Sequence, residues 1–271
     1  MTHRFWAALS SPALAALDRA AAIAILPVAA VEQHGPHLPL GTDTFISQGY
    51  IDRILPLLRP DLTALFLPIQ AVGKSDEHLS FTGTLTLSPE TALRAWTEIG
   101  DAVARAGIRR LVLLNTHGGN VPVMDLVSRT LRVRHKMLAV NVSMHRFGYP
   151  EGLFAPQERA HGIHGGDIET SLMLAFRPDL VDMAQARDFA PWSIAMERQF
   201  TQLRANHPVG FGWMSEDLSP AGAMGDARPA SAEKGAAAAE FGARAFVALL
   251  EDVAAFDLTR FDARPEGEDP L

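Results

Sequence analysis

The stretch Ala22-Ile-Ala-Ile-Leu-Pro-Val-Ala-Ala-Val31 is followed directly by Glu32-Gln-His-Gly-Pro-His-Leu-Pro-Leu-Gly-Thr-Asp43. The apolar run has the length and character of a strand that is buried on both faces. The next segment, from Thr44 to about Leu55, has the apolar spacing of a helix. Pro27 indicates a bulge or an edge position, because proline donates no ladder hydrogen bond.

The alternation of strand-like and helix-like segments continues along the chain. Strands are predicted over 62–69, 110–115 and 137–143, and helices over 89–106, 121–133, 167–176 and 232–253. Ser88-Pro89-Glu90 is a helix start, with a side-chain cap, a proline in the first turn and an early acid. In the last helix Phe241, Ala245 and Leu249 recur at helical spacing. The pattern predicts an α/β fold with a mostly parallel sheet covered by helices on both faces.

Residues 177–230 interrupt this alternation and carry five prolines. We interpret the segment as a long excursion that serves as a lid or a subunit contact rather than as a separate domain. The chain is therefore predicted to form a single domain over 1–260. An acidic C-terminal tail is predicted over 261–271.

Composition excludes several classes of function. The 271 residues include no cysteine, which excludes disulfides, thiolate nucleophiles and cysteine-based metal sites. The formal net charge of −7 provides no basic field for a nucleic-acid partner. The longest apolar stretch, 20–31, is too short for a membrane span, and the first residues do not resemble a secretory leader. We therefore expect a cytoplasmic protein with neither a nucleic-acid nor a membrane partner.

Candidate metal ligands follow predicted strand ends or lie at helix starts. Glu32 and His34 follow the first strand, Asp43 precedes the next helix, His117 follows the strand 110–115, and Glu169 lies in the first turn of a helix. Ligands of open α/β sheets bind beyond the carboxyl ends of the strands. Histidines and carboxylates without cysteine suit two ions such as Zn²⁺ or Mn²⁺, which can share a carboxylate and a bridging hydroxide. A nearby histidine could carry the proton to a leaving amine.

Each of these residues also has a purely structural interpretation. Glu32 and His34 could form a surface or core pair, and Asp43 could cap a helix. His117 could be a turn residue or part of an anion nest, and Glu169 could complement the helix dipole. Ser75 and His78 lie close in sequence, but sequence spacing alone is weak evidence for a serine nucleophile. The occurrence of five candidates at the edge of one predicted sheet favours a metal site.

Four motifs resemble those of the creatininase (creatinine amidohydrolase) family and occur in the family's order. They are Glu32-Gln-His-Gly-Pro-His-Leu-Pro-Leu40 with the later Asp43, Gly73-Lys-Ser-Asp-Glu-His78 with Gly83-Thr84, Asn115-Thr-His-Gly-Gly-Asn120, and His164-Gly-Gly-Asp-Ile-Glu-Thr-Ser171. The resemblance extends over about residues 23–175. It implies a three-layer α/β/α sandwich, often assembled as a homohexamer, that hydrolyses a C–N amide bond at a binuclear metal centre.

The resemblance also assigns roles to individual residues. Glu32 and His34 would each hold one of two divalent ions (Zn²⁺ or Mn²⁺, with Fe²⁺ as a further candidate), and Asp43 would bridge both. His117 and Glu169 would complete the ligand set, and His164 would be the general acid/base. The family's substrate-facing positions correspond to Ser75, Glu77 and His78.

Two departures from the family pattern bear on the substrate. Creatinine hydrolases carry Tyr-Glu directly after the histidine of the third motif, where this chain has Gly118-Gly119. Glu169 therefore becomes the expected last ligand, and a substrate other than creatinine is expected. An acid often precedes the fourth motif, whereas His161 and Gly162 stand there in this chain.

The sequence leaves the substrate and several alternatives open. A small cyclic amide, a formamide or a short peptide fits the resemblance, and one family branch contains peptidases of modified-peptide maturation. A non-catalytic metal-binding or ligand-binding oligomer on the same scaffold is a second hypothesis. Phosphoester hydrolysis at two metals is disfavoured, because Lys74 is the only basic residue beside the clusters other than histidine.

Overall fold

The computed structural model describes residues 3–262, and its central feature is a sheet of four parallel strands. The strands are β1 (Ile23–Val28), β2 (Ala64–Phe66), β3 (Arg110–Asn115) and β4 (Leu138–Ser143). Their order in the sheet is β2-β1-β3-β4. Most of the predicted tail over 261–271, from residue 263 onward, lies outside the described residues.

Helices cover both faces of this sheet. They are α1 (Ser11–Ala15), α2 (Thr42–Ile54), α3 (Pro89–Arg105), α4 (Val121–His135), α5 (Pro156–His161), α6 (Asp167–Phe176), α7 (Ser193–Gln199), α8 (Ser215–Leu218) and α9 (Ala232–Ala255). One layer contains α2, α6 and α9, and the opposite layer contains α3 and α4. The predicted three-layer α/β/α sandwich with a parallel central sheet is confirmed.

The sheet is buried on both faces because successive strand residues point in opposite directions. In β1, Ile23 and Ile25 pack against the layer of α2, α6 and α9. Ala24 and Leu26 pack against the layer of α3 and α4. All four are fully buried, which explains why β1 is a continuous apolar run rather than an alternating one.

Pro27 does not mark an edge strand or a bulge, so that prediction was wrong. Strand β1 lies between β2 and β3, and Pro27 is in regular register with Leu114. The Pro27 carbonyl accepts a hydrogen bond from the Gln70 amide at 2.9 Å, beyond the end of β2 at Phe66. Proline is tolerated in this central strand because the neighbouring strand has already ended beside it.

The buried face of α9 also differs from the one suggested by its large residues. Phe241 is 39% exposed, whereas Ala239, Ala243 and Phe246 are fully buried. These residues pack in the same core cluster as Leu172 of α6. Small side chains face the neighbouring helix and allow it to approach closely.

The strand order places the candidate site. The chain moves from β1 to β2 on one side and then returns to pair β3 with the other side of β1. The carboxyl ends of β1 and β3 therefore flank the point at which the winding direction reverses, where α/β sheets bind ligands. Glu32 follows β1 by four residues, and His117 follows β3 by two.

Residues 177–230 fold against the edge of this site. The segment contains α7, α8 and a two-stranded antiparallel ribbon of β5 (Asp188–Phe189) and β6 (Gly225–Asp226). Met224 exchanges two backbone hydrogen bonds with His164, of 3.2 and 2.6 Å. A role as a lid or a subunit contact remains a prediction. None of the helices within residues 3–262 combines the length and apolar character needed to cross a bilayer.

Candidate metal centre

The five predicted metal ligands converge at the carboxyl end of the sheet. Glu32, His34, Asp43 and His117 are all at most 5% exposed. Asp43 lies in the first turn of α2, and Glu169 is the third residue of α6, with 23% of its side chain exposed. Four separate segments of the chain therefore deliver carboxylates and imidazoles to one buried cluster.

Two groups of possible ligand atoms share Asp43. In one group, Nδ1 of His117 lies 3.1 Å from Oε1 of Glu32 and 3.5 Å from Oδ2 of Asp43. In the other, Nε2 of His34 lies 3.6 Å from Oδ1 of Asp43 and 3.8 Å from Oε2 of Glu169. Ligand atoms bound to one ion at about 2.1 Å are separated by distances of this size. Each oxygen of Asp43 thus faces a different histidine.

A third group of possible ligands consists of Glu32, His34 and His164. Nδ1 of His164 lies 3.6 Å from Oε1 of Glu32. The ring of His164 also lies against the ring of His34, with centroids 4.0 Å apart. The predicted general acid/base is therefore at the border of the ligand cluster.

Hydrogen bonds fix the orientation of both predicted histidine ligands. Nδ1 of His34 is 3.1 Å from the carbonyl oxygen of Glu32, and Nε2 of His117 is 2.9 Å from that of Lys74. A carbonyl accepts only from an N–H, so the other nitrogen of each neutral ring presents its lone pair to the cluster. Metal-ligating histidines in proteins are typically held in this way.

Three atoms of the cluster are buried without a hydrogen-bond partner in the described part of the chain. They are Oε1 of Glu32, Nε2 of His34 and Oδ2 of Asp43. Leaving such atoms unpaired in the interior is costly, and more so for charged groups. Oε1 of Glu32 and Oδ2 of Asp43 belong to the group with His117, and Nε2 of His34 belongs to the group with Glu169. Divalent cations in the two groups would satisfy all three atoms, so the residues fit a metal.

The pKa values of the ligands also indicate that the buried carboxylates of the cluster require positive charge beside them. Burial would lower the pKa of His117, but the carboxylates of Glu32 and Asp43 outweigh it and raise the pKa to about 10. Burial likewise opposes protonation of His34, yet Asp43 and Glu169 raise its pKa to about 9. Burial raises the pKa of Glu169 to about 7. Without metal, protons would neutralise the buried carboxylates.

The predicted substrate-facing residues contact the metal ligands. The hydroxyl of Ser75 donates a hydrogen bond to Oε2 of Glu32. Nε2 of His78 lies 3.4 Å from Oε1 of Glu32, and Oε1 of Glu77 lies 3.5 Å from Nε2 of His117. Ser75 and His78 are almost completely buried, whereas Glu77 is partly accessible. Contact with a substrate remains a prediction for all three.

The surroundings of His164 favour its neutral imidazole. Burial, followed by the positive charge of His34, lowers its pKa well below the ordinary value. Its Nε2 lies 2.5 Å from the carbonyl oxygen of Gln33. His161 does not extend this arrangement, because its Nδ1 lies 3.0 Å from Oγ of Ser193 and its Nε2 lies 3.4 Å from Oε2 of Glu197.

The asparagines of the third motif tie the loop that presents His117. Nδ2 of Asn115 donates to the carbonyl of His117 at 2.6 Å, and Nδ2 of Asn120 donates to that of Ala29 at 3.1 Å. Gly119 is required by close packing. A Cβ atom there would lie 2.2 Å from Oε1 of Glu77. Only glycine allows this carboxylate to lie beside His117.

Sequence reasoning missed the contribution of Gln33. Its side chain is 6% exposed and reaches His78 and the carbonyl of Gly222. Gln33 stands between two predicted ligands in sequence, which was the only signal available. Its partner Gly222 lies in the excursion over 177–230, almost two hundred residues away, so no local pattern could connect the two.

A family model described as creatininase, creatinine amidohydrolase, matches residues 7–250. The chain belongs to the creatininase family. The matched range includes all five predicted ligands and His164. The protein is a creatininase-family hydrolase.

Characterised relatives within the creatininase family differ in what their names say they act on. The mycofactocin precursor peptide peptidase of Mycobacterium ulcerans is 30% identical over 250 residues, covering 90% of this chain and 87% of that protein. The creatinine amidohydrolase of Pseudomonas putida is 32% identical over 232 residues, covering 79% and 82%. A solved manganese form of creatininase is 27% identical with a TM-score of 0.68, covering 92% of this chain and 98% of that one.

Proposed function

We propose that this protein is a binuclear metal-dependent hydrolase that cleaves a C–N amide bond. The observation that carries the proposal is the position of Asp43, whose two oxygens face His34 and His117 in two separate groups of ligand atoms. A carboxylate shared in this way is the arrangement expected where two ions lie about 3.5–4 Å apart. The orphaned buried atoms of the cluster support the same conclusion.

Each ion would have its own protein ligands in addition to Asp43. Glu32 and His117 would hold one ion, and His34 and Glu169 would hold the other. Divalent ions bound there supply Lewis acidity towards an amide carbonyl and lower the pKa of water. Zn²⁺ and Mn²⁺ suit this set of imidazole and carboxylate ligands, and Fe²⁺ is a further candidate.

We propose that His164 accepts and returns the proton during amide cleavage. Its ring is neutral, and its hydrogen bond to the Gln33 carbonyl places the N–H on Nε2. Nδ1 is then free to accept a proton at the border of the cluster, 3.6 Å from Oε1 of Glu32. The same nitrogen can return that proton to a leaving amine, which is the general acid/base role.

Ser75 supports this site by holding Glu32. Its hydroxyl donates to Oε2 of Glu32 and leaves Oε1 directed towards His117. Glu77 lies at the accessible side, where its Oε2 is 3.3 Å from Nζ of Lys74. We assign Glu77 and His78 to the substrate side of the centre, with Ser75 behind Glu32.

The substrate class is a formamide, a cyclic amide or a short peptide. Two observations favour a short peptide among these candidates. Gly118 is exposed, and a Cβ atom there would meet nothing within 4 Å, so the site is open beside His117. In addition, the match to the precursor peptide peptidase covers 90% of this chain. A homohexamer and a cytoplasmic location are further proposals, the former to be tested by light scattering.

Metal content per chain tests the proposal first. Mass spectrometry on protein purified without added metal should find about two transition-metal ions per chain, and Asp43→Ala should lose both ions and amide turnover. Asp52→Ala, at an exposed position of the same helix α2, is the matched control and should keep both. Absence of bound metal after soaking with Mn²⁺ or Zn²⁺ would refute the proposal. A loaded protein that is inert towards a broad amide and peptide panel would favour the non-catalytic binding scaffold instead.

A further inference from the structure

Three imidazole rings lie against one another at the metal cluster, one of them that of the predicted ligand His34, and one residue contacts the other two. The ring of His164 lies between those of His34 and His78, with centroid separations of 4.0 and 4.2 Å. Gln33 lies beside this stack, and it approaches His78 with its side chain and His164 with its backbone carbonyl. Gln33 is 6% exposed, so water cannot replace these contacts freely.

Two backbone groups determine how the Gln33 amide is oriented. Oε1 accepts a hydrogen bond from the Gly35 amide at 2.9 Å, and Nε2 donates to the Gly222 carbonyl at 3.0 Å. A backbone N–H can only donate and a carbonyl can only accept, so the amide cannot be reversed. One hydrogen of Nε2 then remains, and Nδ1 of His78 lies 2.7 Å away.

This remaining hydrogen decides which nitrogen of His78 carries a proton. Because Nδ1 accepts from Gln33, the neutral ring must carry its hydrogen on Nε2. Nε2 faces Oε1 of Glu32 at 3.4 Å. The hydrogen on Nε2 is therefore directed towards this carboxylate.

The backbone of Gln33 has the same effect on His164. Its carbonyl accepts from Nε2 of His164 at 2.5 Å, which leaves Nδ1 without a hydrogen. We propose that Gln33 is a positioning residue that sets the proton positions of His78 and His164, and that Gly222 of the excursion over 177–230 holds it in place. The consequence for catalysis rests on the proposed function above.

The backbone at Gly222 leaves no room for a side chain beside Gln33. It is buried with φ +77°, and a Cβ atom there would lie 2.2 Å from Oε1 of Gln33. A side chain at this position would displace the amide from the histidines. The excursion therefore contributes to the metal centre through one carbonyl group, without supplying a ligand.

The tautomer of His78 can be measured directly. Long-range ¹H–¹⁵N correlation spectra of histidine-labelled, zinc-loaded protein distinguish a ring with its hydrogen on Nε2 from one with it on Nδ1, and the His78→Phe spectrum assigns the signals. In the wild-type protein His78 should carry the hydrogen on Nε2. Gln33→Glu presents an acceptor in place of the donor and should move it to Nδ1. The exposed Gln202→Glu is the matched control and should leave the spectrum unchanged.

Turnover by the same variants tests the consequence for catalysis. Gln33→Glu should lower kcat about 10- to 100-fold, the range seen when groups behind metal ligands are changed, with KM and zinc content retained. Gly222→Ala should act in the same direction if the glutamate variant does not fold. A wild-type His78 with its hydrogen on Nδ1 would overturn the proposal, as would a Gln33→Glu protein with the wild-type tautomer and kcat. Wild-type protein with the expected tautomer but no amide hydrolysis would contradict the proposed function and support the assignment of Gln33.

Discussion

Replacing Asp43 by asparagine should have opposite effects on the metal-free and the metal-loaded protein. Relative to the wild type, the variant should be at least as stable without metal and less stable with metal. Asp43 is 1% exposed, and burial followed by the charge of Glu32 raises its pKa. A group whose pKa is raised on folding costs stability as the pH rises through that pKa. At pH 8 the metal-free Asp43→Asn protein should therefore unfold at a temperature equal to or above that of the metal-free wild type.

Bound metal should stabilise the wild type more than the Asp43→Asn variant. An ion present at 100 times its dissociation constant stabilises the folded state by about 2.7 kcal/mol, so two ions contribute about 5 kcal/mol. For a chain of this size that corresponds to an increase in Tm of roughly 10–20 °C. Asparagine offers one oxygen where aspartate offers two. If each affinity falls about 100-fold, the same metal concentration should raise the Tm of the variant by only about 2–3 °C.

Thermal unfolding followed by circular dichroism, with chelator or with Zn²⁺, measures all four states. Asp52→Asn on the same helix is the matched control, because its side chain is exposed and accepts a hydrogen bond from Gln48. It should show the full metal-dependent increase in Tm. An Asp43→Asn protein with the same increase as the wild type would refute the assignment of Asp43 as a shared ligand.

Three further outcomes follow from the structure. Gly119→Ala should lower the free energy of unfolding by about 1–3 kcal/mol, because the added methyl overlaps a carboxylate and a carbonyl. Gly118→Ala, whose added methyl meets no atom within 4 Å, should leave thermal unfolding nearly unchanged. Equal losses of stability in the two variants would contradict this reasoning. Ser75→Ala should weaken zinc binding about 10- to 100-fold, measured by competition with a chelating dye, and an unchanged affinity would show that its hydroxyl does not orient the ligand. Zinc affinity should increase with pH by about 100-fold per unit between pH 6 and 8, because His34 (pKa about 9) and His117 (pKa about 10) must each release a proton to bind metal. The increase should be steeper below about pH 7, where Glu169 (pKa about 7) must also release a proton. A pH-independent affinity would contradict the proton-loaded cluster.

The elements whose signals are local were predicted closely from the sequence. Strand β3 and helix α6 have the predicted bounds, and Ser88 caps α3 through the amide of Thr91 as its motif indicates. These features depend on apolar runs, caps and turns that a short window of sequence contains. The order of the motifs likewise predicted the ligand set, because strand ends of a parallel sheet meet at one edge.

The errors arose where the partner of a residue decides its environment. Pro27 lies in a central strand because β2 ends beside it, and the length of β2 is not encoded near Pro27. In α9 the buried face consists of small residues such as Ala239 and Ala243 because another helix packs closely there. Hydrophobic spacing alone favoured Phe241, which is exposed.

By itself the sequence determined the layered α/β fold and the family, and it predicted which residues meet at the carboxyl edge of the sheet, because these depend on local pattern and motif. Only the tertiary structure decided which oxygen of Asp43 faces which histidine, and that the carbonyl of Gly222 holds Gln33 against His78. These arrangements depend on distances of a few ångströms between segments far apart in the chain. Such distances are set by the packing of the whole domain, and no stretch of sequence contains them.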